Sequence, residues 1–198
     1  MAQRNDGVDS RRTDTRDRIL PVALSLFAER GYANTSLREI AEQLDVTKAA
    51  LYFHYKTKED IVTGILRGYL DGIDALLDDA DRQQTSRAGR EHLLRRLADH
   101  QAAWGIDLTR FVRQNYTEID NLPLGADLRA SHRRLLDSLT GPDSTLLNRV
   151  RARTAVAALQ TVALSAKLED DPEDELRAAA LTIALEVLHG GPDTIPPS

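Results

Sequence analysis

Residues 36 to 58, SLREIAEQLDVTKAALYFHYKTK, leave little freedom to the chain, because two helices must form there with almost nothing between them. Leu37, Ile40, Ala41 and Leu44 recur at the three- and four-residue spacing that puts apolar groups on one helical face. Ser36 followed by Glu39 is the pattern of a capping box, in which serine hydroxyl and glutamate carboxylate each satisfy a free amide at the helix start. Asp45 and Val46 form a short joint, and Thr47 is placed to cap a second helix with Leu51 and Tyr55 on its inner face. The expectation is a helix-turn-helix with a polar outer surface.

The rest of the chain carries the same period. Ile19, Leu20, Ala23, Leu24 and Phe27 make the stripe of a first helix that ends at Gly31, with Pro21 as an oddity that predicts a kink there or a regular helix starting near Asp17. Residues 58 to 81 read as a long helix carrying Ile61, Ile65, Leu66, Tyr69, Ile73, Leu76 and Leu77. Residues 82 to 89 read as a loop and 93 to 104 as a helix, with Gly105 breaking or bending its continuation to Ile119. A turn through Asn121 and Pro123 and a helix from Ala126 to Thr140 follow. The last two helices, 144 to 168 and 172 to 189, have later halves that are apolar nearly all round, so something covers both faces. Packing against a second copy explains this economically and predicts a homodimer through those two helices. No alternating stretch is long enough for a sheet, and the chain is expected to be all-α.

With 198 residues the chain has room for a small domain attached to a larger one. The expected division is a disordered tail at 1 to 10, a reading domain at 11 to 57 and a larger helical domain at 58 to 198. No Cys is present, which removes disulfides, thiolate nucleophiles and cysteine metal sites. His92, His100 and His132 form no metal pattern, so neither a metal nor a cofactor is expected. No apolar run resembles a signal peptide or a membrane span, and a cytoplasmic protein is expected. The net charge of -5 runs against the usual basic footprint of nucleic-acid binders, but residues 1 to 60 are neutral, with ten Lys/Arg and ten Asp/Glu. Such a head makes few phosphate contacts and relies on pairing with a second head.

The segment from Ile19 to Leu66 resembles the N-terminal domain of the TetR family of bacterial transcriptional repressors. The likeness rests on Phe27-Ala28-Glu29-Arg30-Gly31-Tyr32, Thr35-Ser36, Ile40-Ala41, Val46-Thr47-Lys48 and above all Leu51-Tyr52-Phe53-His54-Tyr55 followed by Lys58-Glu59. The resemblance implies a nine-helix plan, a homodimer, double-stranded DNA with a palindromic operator as partner, and a small-molecule effector. In the second reading helix, Leu51 and Tyr55 occupy the core, so Lys48 and Tyr52 point outward with Ala49 and Ala50, at the end that enters a major groove. Small alanines can touch a thymine methyl, and Lys48 can donate to guanine or phosphate. Similarity to the family adds Arg38 as a groove contact and Tyr52, His54 and Lys58 as phosphate contacts, with hydroxyls offered by Thr35, Ser36 and Thr47. Arg38 has an alternative partner in Glu42, one turn on.

The family likeness also implies an effector pocket in the C-terminal domain, for which Tyr69, Ile73, Leu97, Gln101, Trp104, Leu108, Phe111 and Tyr116 are candidates. Two other readings stay open: an all-α carrier or enzyme that has no DNA function, although no catalytic pattern supports it, and a DNA-binding protein that senses no ligand.

Overall fold

The structure is a computed structural model that describes residues 6–82, 86–120, 122–141, 144–162 and 172–190, with the backbone alone at 6–15 and Asp17. The described residues form helices and connecting turns, with no strand among them. They divide into two compact units, the first comprising Met1–Gly68 and Phe111–Leu124 and the second Tyr69–Arg110 and Gly125–Ser198. The first unit therefore takes in a segment from beyond position 110 as well as the first turns of the long helix, which the expected boundary at residue 58 does not anticipate.

In the first unit, α1 (Asp6–Arg30) begins inside the stretch expected to be a disordered tail and runs through Pro21. Pro21 lies on the exposed face, where water can satisfy the carbonyl that a proline leaves bare. Ile19, Ala23, Leu24 and Phe27 are buried, as their spacing predicts. The helix stops at Gly31, whose φ of 88° favours glycine and whose amide donates to the Phe27 carbonyl at 3.0 Å.

Helix α2 (Leu37–Gln43) starts with the full capping box: the Glu39 amide donates to Ser36 Oγ at 3.2 Å and the Ser36 amide to Glu39 Oε2 at 2.7 Å. Its end is a Schellman turn. The Asp45 amide donates to the Glu42 carbonyl and the Val46 amide to the Ala41 carbonyl, with Asp45 at a φ of 54°. Helix α3 (Lys48–His54) is capped by Thr47, whose hydroxyl accepts from the Ala50 amide at 3.1 Å. Leu37, Ile40, Ala41, Leu44, Leu51 and Tyr55 are all buried, so the predicted inner faces of the hairpin are its inner faces. Helix α4 (Lys58–Arg82) contributes Ile61, Val62, Ile65 and Leu66 to the core of the first unit. Its residues from Tyr69 onward belong to the second.

Helix α5 (Arg87–Gln114) is interrupted at Gly105, where φ is 73° and ψ is 171°. Short helix α6 (Tyr116–Asp120) follows. In the second unit, α7 (Gly125–Thr140), α8 (Leu146–Gln160) and α9 (Glu173–His189) pack with α4 and α5 around one apolar cluster that includes Leu77, Leu94, Leu97, Leu139, Ala155 and Ala184. Helices α8 and α9 pack against each other. The part of the expected helix beyond Val162, like the tail before Asp6, lies outside the described residues. Leu146, Val150 and Ile183 remain exposed on α8 and α9, apolar groups that no described residue covers. A polar seam joins α4 to α7: Ser131 Oγ donates to Asp74 at 2.9 Å, and Arg134 reaches Asp78 at 2.7 Å and Asp81 at 2.6 Å. No described helix is long and apolar enough to cross a membrane.

Candidate nucleic-acid interface and effector site

The hairpin presents a concavity of about 430 Å³, lined in part by Thr35, Ser36, Arg38, Lys48, Tyr52 and Lys58. Six of the residues singled out from the sequence thus come together, with Ala33, Asn34 and Leu37 completing the wall. Thr47, Ala49, Ala50 and His54 are not among its lining residues. Lys48 and Tyr52 project together from the outer face of α3, the lysine Nζ lying 5.2 Å from the tyrosine ring centroid. Ala49 is exposed one turn before Phe53, and Ala50 is half-buried.

Several of these side chains already have partners. Arg38 Nε donates to Glu42 Oε1 at 2.7 Å, an exposed pair that raises the guanidinium pKa and holds Arg38 on its own helix. Lys58 Nζ donates to the Tyr32 carbonyl at 2.6 Å and lies 4.4 Å from the Tyr32 ring centroid. Tyr32 in turn donates its hydroxyl to Glu59 Oε1 at 2.8 Å. Burial first, then the Glu59 carboxylate, pushes the Tyr32 hydroxyl above its ordinary value. Ser36 is occupied with Glu39, whose carboxyl is held below its usual range by the serine hydroxyl and then the serine amide.

Thr35, expected at a phosphate, faces inward instead. Only 2% exposed, it turns its hydroxyl to the carbonyls of Gly31 at 3.0 Å and Leu26 at 3.3 Å. The hydroxyl expected at a phosphate instead ties the loop after α1 to the core. Phe53 was missed by sequence reasoning. It stands 64% exposed on α3 with its ring edge-on to His54. The available signal was an apolar residue outside the Leu51–Tyr55 stripe.

In the second unit, Tyr69, Gln101 and Trp104 converge around His100. The His100 and Tyr69 rings lie 4.9 Å apart, and Trp104 meets both of them edge-on. Gln101 hydrogen-bonds to the Tyr69 hydroxyl, and His100 Nε2 lies 3.0 Å from the Tyr69 carbonyl. Burial lowers the histidine pKa, and because a carbonyl can only accept, Nε2 is the nitrogen that donates to it. Ile73 and Leu97 belong to the closed apolar cluster, and Leu108 is buried. Phe111 and Tyr116 fall in the other unit. Phe111 stacks there on Phe27 at 5.6 Å, and Tyr116 is 64% exposed. Among the described residues no group of three or more His, Cys, Asp or Glu is placed to hold a metal ion.

Comparison with known proteins bears on the first unit most directly. Residues 19–65 match the family model of bacterial regulatory proteins, tetR family. A 72-residue stretch is 40% identical to the HTH-type transcriptional repressor KstR2 of Rhodococcus jostii, covering 36% of this chain and a third (33%) of that protein. Over most of its length the chain shares its fold with two solved structures. One is a TetR-family transcriptional regulator from Marinobacter aquaeolei, with a TM-score of 0.68 at 22% identity over 87% of this chain and 88% of that one. The other is LfrR from Mycobacterium smegmatis in complex with proflavine, with a TM-score of 0.63 at 20% identity over 89% of this chain and 96% of that one. Residues 19–65 thus match the tetR family model, and they sit in a chain whose all-helical architecture shares its fold with solved TetR-family regulators.

Proposed function

We propose that the protein is a sequence-specific DNA-binding transcriptional regulator, acting as a homodimeric repressor on a palindromic operator and released from it by a small molecule. The observation that carries this reading is the outward display of Lys48, Ala49 and Tyr52 on a capped helix, beside a concavity of about 430 Å³. The similarity to KstR2, named as a repressor, favours the same direction of control.

Pairing follows from the apolar groups left bare on α8 and α9. Leu146, Val150 and Ile183 are covered when the same face of a second copy packs against them. Two heads then address successive major grooves about 34 to 36 Å apart. The half-buried Tyr69, Gln101 and Trp104 offer a flat aromatic ligand rings and an amide, as befits the likeness to a relative bound to proflavine. Release works by population shift. A ligand that favours a different separation of the heads needs only about 2.7 kcal/mol of differential binding to weaken DNA affinity a hundredfold.

The enclosure of Ile73 and Leu97 in a closed core favours a second reading, a DNA-binding regulator with no effector. Selection of bound duplexes from a random pool tests the first element, with two chains per duplex and a two-fold symmetric consensus expected. Recovery of no consensus would remove the DNA reading. Thermal shift against planar aromatic compounds separates the two readings: a concentration-dependent rise in melting temperature supports an effector site.

A further inference from the structure

Phe53 is held out of the core on a helix whose other outward residues are suited to DNA. Its ring is 64% exposed, whereas Leu51 and Tyr55 on either side are buried. The ring of His54 meets it at 5.2 Å and 89°, an edge contact that gives the phenyl group a preferred orientation. Ala49 lies four residues earlier and is also exposed, so the two apolar groups share one face of α3 beside the Lys48–Tyr52 face. Two of the hairpin's cations are engaged within the chain, Arg38 with Glu42 at 2.7 Å and Lys58 with the Tyr32 carbonyl at 2.6 Å. With part of its charge so committed, the head gains from shape and apolar contact as well as from attraction.

The major-groove edge of a base pair offers one apolar projection, the C5-methyl group of thymine. We propose that Phe53, supported by Ala49, is a specificity-determining residue that recognises a thymine methyl group in the operator. The phenyl group has no hydrogen-bonding atom with which to read any other feature of a base edge, and the alanine allows the backbone to approach closely. This assignment rests on the reading of the first unit as a DNA-binding head.

The test uses the full chain and the duplex selected from the random pool. Each thymine is replaced in turn by deoxyuridine, which removes the methyl group and nothing else. The unaltered protein should lose about fourfold in affinity at one thymine position, the worth of one buried methyl group. Phe53→Ala should bind the thymine and deoxyuridine forms of that position equally, while still preferring the selected duplex to random DNA. No sensitive position in the unaltered protein would overturn the proposal without recourse to any variant, and so would sensitivity that persists in Phe53→Ala. Failure to select any duplex would instead remove the underlying DNA reading.

Discussion

Gly72→Ala sets two effects of known size against each other. Within α4, alanine is favoured over glycine by about 1 kcal/mol of helix propensity. Gly72, however, is the seat of the His100 ring. A Cβ built there lies 2.2 Å from the ring Cε1, 2.9 Å from Nδ1 and 3.0 Å from Nε2. Carbon atoms rest about 3.5 to 4.0 Å apart, so the ring must withdraw by more than an ångström. Withdrawal gives up the hydrogen bond to the Tyr69 carbonyl, about 1 kcal/mol, and overpacking of this kind costs about 1 to 3 kcal/mol more. Loss exceeds gain, and the net destabilisation is about 1 to 3 kcal/mol. In a chain of this length each kcal/mol lowers the melting temperature by about 2 to 4 °C. Circular-dichroism melts of Gly72→Ala, His100→Ala and the double variant provide the assay. With the imidazole gone, Gly72→Ala retains only its propensity gain and should raise the melting temperature. The predicted reversal of sign is the test. A Gly72→Ala variant that is neutral or stabilised with His100 present would refute the close seating of that ring.

Gly105→Ala should also destabilise, but for a reason that no trimming of neighbours can relieve. A Cβ there meets nothing within 4 Å, yet a φ of 73° with a ψ of 171° is backbone that alanine adopts at a cost of about 1 to 3 kcal/mol, readable as a lower melting temperature. Glu39 gives a pH dependence. Its folded pKa is depressed below 4.5, so its contribution is present above that value and is lost as the pH falls through the folded one. Melting temperatures of the parent and Glu39→Gln should therefore differ at pH 7 and converge on acidification; a gap that widened in acid would contradict the capping geometry.

What could be read from the sequence was local in origin. The Ser36–Glu39 box and the Thr47 cap depend on residues three apart, and burial of Leu37, Ile40, Leu51 and Tyr55 follows from a period of a few residues. Contacts made across long sequence separations were not legible. Periodicity marks Phe111 as buried but does not say that it meets Phe27, and it treats Tyr116 as a possible wall when the ring faces solvent. Lys58 is expected at a phosphate, and nothing local in the sequence shows its anchor, the Tyr32 carbonyl, a backbone atom 26 residues earlier. The inward turn of Thr35 is not legible either, because its hydrogen bonds go to carbonyls, which leave no mark in a sequence. Asp45 held a missed signal: aspartate tolerates the left-handed backbone that closes α2, and that turn sets the direction of α3.

The outer face of α3 is the surface proposed to read DNA. Affinities of Lys48→Ala and Tyr52→Ala for the selected duplex, compared with random duplex at the same salt concentration, test it most directly. Both side chains are exposed and neither is needed for the core, so both variants should melt like the parent. Each should lose roughly fivefold to a hundredfold in specific affinity, the range for one or two lost contacts to a base or phosphate. Undiminished specific binding by both would contradict it.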